Sequence, residues 1–111
     1  MFGNLGKMMK LASELKTKLP EMQQKLAESE YTAEAGGGGV AATVNGKMAL
    51  VGLKISKELL ADPEVARDPE MLSDLVKAAV SAAQEKAAAA ARQAMTELTG
   101  GMEIPGLTDI M

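Results

Sequence analysis

The chain contains neither cysteine nor histidine. Without cysteine there are no disulfides, thiolate nucleophiles or thiolate metal sites. Without histidine as well, the usual neutral-pH general base and the commonest transition-metal ligands are gone, and only carboxylates and lysines remain for catalysis. The chain therefore reads as a non-enzyme, with no catalytic, metal or cofactor residues and no small-molecule substrate. Tryptophan is missing too, and Phe2 and Tyr31 are the only aromatics, so no aromatic pair is available to stack bases of single-stranded nucleic acid. Only two arginines, Arg67 and Arg92, could fork onto guanine edges. No segment approaches the roughly 20 apolar residues of a membrane span, and the start MFGNLGKMMK lacks the apolar run of a signal peptide. These absences lead us to expect a cytoplasmic protein without a membrane partner.

What is present fits one domain over residues 1–111. A chain of this size buries about two thirds of its unfolded surface. Apolar residues make up 47% of it, but alanine and nine methionines supply much of that share. The core should be thin, and thin cores are commonly completed by a second subunit.

From Leu5 to Leu26 the residues Leu5, Met8, Ala12, Leu15, Leu19, Met22 and Leu26 recur in alternating steps of three and four, the signature of a helix with one apolar seam. Lys7, Lys10, Lys16, Lys18 and Lys25 occupy other positions, so residues 1–27 carry five lysines against two glutamates, +3, in a chain of formal charge −3. Pro20 removes the amide that would bond the Lys16 carbonyl, which predicts a kinked helix, or two short ones, ending near Ser29.

Residues 31–35 and 40–44 alternate around Gly36 to Gly39, and Asn45-Gly46 precedes a run from Met48 to Ile55 that is apolar on both faces. Asn-Gly between two such runs is a strong hairpin signal, because both central residues of a type I′ turn take positive φ. Three antiparallel strands follow. The third should carry Val51, Leu53 and Ile55 on one face and Met48 and Leu50 on the other, buried between a helix layer and a second subunit. Met48, Leu50 and Val44 are therefore the candidate dimer-interface residues.

Asp62-Pro63 and Asp68-Pro69 bracket a short connector whose surroundings, residues 58–74, hold six acids against Arg67. That spacing lacks the alternating ligands and central glycine of a calcium loop, and the four glycines join strands without the Gly-Lys-Ser/Thr ending of a phosphate loop. Asp68 is a good N-cap with Pro69 at the first helical position. From Met71 through Leu75, Ala79, Ala83, Ala87 and Ala94 to Leu98 one helical side is apolar, giving a helix of about thirty residues stopped by Gly100-Gly101. The tail, about 102–111, reads as a frayed segment or a docked extended arm.

The order of these elements and a set of local words together resemble the YbaB/EbfC family of bacterial nucleoid-associated proteins. The words are Met1-Phe2-Gly3, Lys7-Met8-Met9-Lys10, Met22-Gln23-Gln24-Lys25-Leu26, Gly39-Val40, Val44-Asn45-Gly46, Leu59-Leu60, Glu70-Met71-Leu72-Ser73-Asp74-Leu75-Val76 and Gly100-Gly101-Met102. They run in order across nearly the whole chain. The resemblance implies an α+β fold with a long N-terminal helix, a three-stranded antiparallel sheet, a short connector helix and a long C-terminal helix. It implies a tweezer-like homodimer that binds double-stranded DNA with weak sequence preference, in the cytoplasm at the nucleoid. Mapped by helix face, DNA contact would fall among Lys7, Lys10, Lys16, Lys18 and Lys25 on the first helix and Lys77, Lys86 and Arg92 on the last. Two features depart from the family pattern: an alanine run replaces charges on the last helix, and Pro20 interrupts the first. A prefoldin-like protein-interaction module, which also has a helix, hairpin, helix plan, is the alternative. Methionine-rich surfaces suit such adaptable contacts.

Overall fold

Pro20 does not divide the first helix. In the computed structural model, which describes residues 2–98 with side chains from Leu5 onward, α1 runs unbroken from Phe2 to Glu28 with Pro20 inside it. Pro20 lies on the exposed side, where water can serve the carbonyl it leaves unpaired, and the apolar seam keeps its register across it. Ser29 ends the helix, donating its amide to the Lys25 and Leu26 carbonyls and its hydroxyl to the Lys25 carbonyl at 2.7 Å. The expected tail at 102–111 lies outside the described residues.

Three strands follow, β1 (Glu30–Ala35), β2 (Val40–Asn45) and β3 (Leu50–Ile55), in an antiparallel sheet of order β1-β2-β3. Gly36, Gly37 and Gly38 all have positive φ in the first turn, which only glycine adopts at little cost. The second turn departs from the type I′ expectation. Positive φ falls on Met48 (68°), and the Met48 amide donates to the Asn45 carbonyl. The Asn45 amide donates to the Ala49 carbonyl, while the Asn45 side chain accepts from the Lys47 and Ala49 amides. This is the three-residue hairpin loop, a turn closed by one left-handed residue, with Asn45 acting through its side chain.

A register shift corrects the expected faces of the third strand. Thr43 pairs with Gly52 and Val44 with Leu50, leaving Val51 as the extra residue of a bulge. Leu50 therefore shares the face of Leu53 and Ile55, opposite the buried Val44, Ala42 and Val40.

The connector is two one-turn helices, α2 (Lys57–Ala61) and α3 (Pro63–Arg67), where one was expected. Each has its own cap. Ser56 Oγ accepts from the Leu59 amide at 3.0 Å and Asp62 from the Glu64 amide at 2.9 Å. Asp68 repeats the device for α4 (Pro69–Leu98), accepting from the Glu70 amide at 3.1 Å.

The core is as thin as composition predicts. Ala79, Ala83 and Ala87 on α4 are fully buried against Ala33, Val40, Ala42 and Val44, and the largest fully buried side chains are valines. Alanine brings the helix backbone close to the sheet. α4 crosses β1 and β2 and leaves β3 largely uncovered, so Leu50, Val51 and Leu53 stay 48%, 52% and 41% exposed. The expectation that α4 would bury one face of the third strand is corrected accordingly.

Candidate nucleic-acid interface

The lysine-bearing helix stands away from the sheet as one side of an arm. α4 passes Gly36 at Leu75, donates from Gln84 Nε2 to the Met48 carbonyl at 3.2 Å, and ends at Leu98 beside Lys18, Met22 and Leu26 of α1. α1 meets the sheet where its Leu26 carbonyl abuts Gly46. The two helices therefore run antiparallel beyond the second turn, and α1 from Leu5 to Leu15 continues past the end of α4. The molecule is 71 Å long and only 21 Å and 17 Å across.

Lys7, Lys10, Lys16, Lys18 and Lys25 are all exposed on this arm. At 100° per residue Lys7, Lys18 and Lys25 fall within about 20° of one another and span about 27 Å of helix axis. Lys10 lies beside that stripe, and Lys16 is on the other side of the apolar seam. Glu14 and Glu21 interleave with the stripe, so the surface is a lysine row broken by carboxylates. The groove between the helices, lined by Lys18, Glu21, Lys25 and Glu97, mixes both signs in the same way.

On α4 the expected cations are divided. Lys77 is exposed. Lys86 Nζ donates to the Thr32 carbonyl at 2.7 Å, which ties it to β1, and Arg92 pairs with Glu85 at 3.1 Å. The Arg92 pair is exposed on both sides and contributes little to stability, so a phosphate could replace the carboxylate; Lys86 is exposed and, while bonded to β1, keeps two further N–H donors. The sequence-based set therefore splits into a row on α1 and scattered cations on α4. Sequence reasoning missed Lys47, exposed in the turn against which α1 ends. The Gly46 to Leu26 contact joins that turn to α1, and the two residues lie 20 positions apart.

The candidate dimer residues also separate. Val44 is fully covered by its own chain and offers a partner no surface, and Met48 packs half-buried against the core. Leu50 is the one of the three that stays open, beside Val51 and Leu53 on an edge strand. The sheet face away from α4 carries Thr32, Glu34, Thr43 and Lys54, with the two threonine hydroxyls 2.7 Å apart. Among the described residues no cluster of carboxylates could hold a metal ion and no helix is long and apolar enough to cross a membrane.

Comparison with known proteins identifies the family and the fold. A nucleoid-associated protein of Clostridium perfringens is 46% identical over 105 residues, covering 95% of this chain and 90% of its own. One from Pelotomaculum thermopropionicum is 40% identical over 107 residues, covering 96% and 98%. The crystal structure of an uncharacterized Helicobacter pylori protein shares the fold, with a TM-score of 0.57 and 22% identity over 75% of this chain and 92% of that one. The model of the YbaB/EbfC DNA-binding family, which is not an enzyme class, matches residues 1–102. The chain belongs to the YbaB/EbfC DNA-binding family.

Proposed function

We propose that this chain is a non-catalytic, nucleoid-associated protein that binds double-stranded DNA as a homodimer, through phosphate contacts from α1. The observation that carries the reading is the lysine row on the projecting arm: Lys7, Lys18 and Lys25 share one stripe with Lys10 beside it, all solvent-exposed. Residues 1–111 act as one domain in this reading. Lysine ammonium groups are point charges suited to phosphates, whereas base-edge readout relies on forked arginines. Of the two arginines, Arg92 is engaged with Glu85, so recognition depends weakly on sequence. Lys77 and Arg92 on α4 would supplement the row, and the nucleoid is where such a protein would reside.

Dimerisation answers two features. The accessible surface, 7916 Å², exceeds the roughly 5800 Å² of a compact monomer of this mass. The uncovered β3 also presents Leu50, Val51 and Leu53 together at an open sheet edge. A dimer doubles the lysine rows, which matters because its formal charge is −6, twice −3, and long-range repulsion must be overcome by local positive charge. The alternative, a prefoldin-like module holding unfolded polypeptide, is not favoured by family membership.

Fluorescence anisotropy of a labelled duplex across a salt series tests the reading. With about 4 to 8 phosphates engaged, the logarithm of affinity should fall against log salt with a slope of about −4 to −7. A variant with Lys7, Lys10, Lys16 and Lys18 changed to alanine should lose most of that slope. An unchanged slope would remove α1 from the interface, and absence of binding at low salt would remove DNA.

A further inference from the structure

The arm that carries the lysine row leaves its apolar seam open. Beyond the end of α4, Leu5, Met8 and Met9 are 56%, 66% and 67% exposed, while farther along the same helix Leu19, Met22 and Leu26 are half-buried. An apolar stripe of this kind needs a cover. We propose that residues 99–111 of the same chain lie along the seam of α1 between Leu15 and Leu5 and compete there with polyanions for the lysines.

Direction, length and charge support that occupant. α4 runs antiparallel to α1 and stops at Leu98 beside Lys18, so a chain leaving Leu98 in the same sense travels toward Leu5 without reversing. Leu5 is 13 residues before Lys18, about 20 Å along the helix, and the 13 residues from 99 to 111 reach about 43 Å when extended. They include Met102, Ile104, Leu107, Ile110 and Met111 as apolar groups, carry Glu103 and Asp109, and hold no lysine or arginine. The helix they would cover, residues 5–18, has four lysines and one glutamate. The same count disfavours a second α1 as the cover, since two such seams would set eight lysines around one contact. Tethering also supplies an effective concentration of order mM, so a weak contact suffices.

Occupancy of the seam can be tested in the full-length protein without DNA, so its outcome is independent of the function proposed above. The chain has no native cysteine, which makes an introduced pair unambiguous. Met8→Cys with Leu107→Cys should form an intramolecular disulfide rapidly under mild oxidation. Lys54→Cys with Leu107→Cys should not, because Lys54 lies on the sheet face turned away from α4. In the cysteine-free chain, Ile104→Asp with Leu107→Asp should raise the peroxide oxidation rate of Met8 and Met9 about tenfold, the change expected when a mostly closed contact is opened. That variant should also bind duplex DNA more tightly than the parent, a result that rests on the DNA reading. Equal trapping at the two cysteine pairs, disulfides mainly between chains, or methionine protection that appears only with anionic vesicles would overturn the proposal. Trapping as expected with no DNA binding by either protein would leave the docking intact and remove the DNA role.

Discussion

Replacing Gly46 with alanine separates two reasons for a glycine. Gly46 is not among the residues with positive φ, so on conformational grounds alone alanine should stabilise the fold by about 0.4–1 kcal/mol through the unfolded state. Packing predicts the opposite. A Cβ built on Gly46 overlaps the carbonyl carbon and oxygen of Leu26 and lies 2.9 Å from the Ala27 nitrogen. These are backbone atoms on both sides, and no rotamer change relieves the clash. α1 would have to retreat by on the order of 1.5 Å, and a gap of even 0.5–1 Å forfeits a quarter to a half of each dispersion contact. Overpacking of this kind costs about 3 kcal/mol, which lowers Tm by about 10–20 °C for a domain of this size. Thermal unfolding followed by circular dichroism at 222 nm, at matched protein concentration, reads the difference. Gly37→Ala is the control: it has open space around its Cβ but φ of +66°, so it should cost about 1 kcal/mol for conformation alone. A Gly46→Ala variant melting at or above the parent would refute the claim that α1 is seated on this turn.

Three further expectations follow from the same architecture. Ala83→Leu should destabilise by about 1–3 kcal/mol in urea unfolding, because Ala83 is 0% exposed where α4 meets the sheet. Asp68→Ala should cost about 1 kcal/mol in the same assay by removing the acceptor for the Glu70 amide. If β3 forms the proposed homodimer contact, Leu50→Glu should give a folded monomer by light scattering, and a folded variant of unchanged mass would exclude that surface.

Most of the secondary structure was legible because its signals are local. Pro69 after Asp68 marked the start of α4, the three-four seam marked α1, and the glycines with Asn45-Gly46 marked the turns. Features that depend on distant residues were not. The bulge at Val51 depends on how β3 pairs with β2, and one extra residue was enough to bring Leu50 to the face of Leu53. Asn45-Gly46 announced a hairpin correctly, yet its glycine is explained by Leu26, twenty residues away, and the left-handed residue of the turn is Met48. For the candidate site, the lysine row on α1 could be read from spacing. The attachment of Lys86 to the Thr32 carbonyl could not, since it joins residues 54 positions apart.

The alanine contact between α4 and the sheet also bears on how stability varies with temperature. Unfolding raises heat capacity by about 0.45 cal/mol/K for each Å² of apolar surface exposed and lowers it by about 0.26 for each Å² of polar surface. Ala79, Ala83 and Ala87 release little side-chain area, while the backbone packed beneath them is polar. The heat-capacity change should therefore fall below the usual 12–15 cal/mol/K per residue. The stability curve of such a protein is low and broad, with a gradual loss on warming and a cold limit displaced well below freezing.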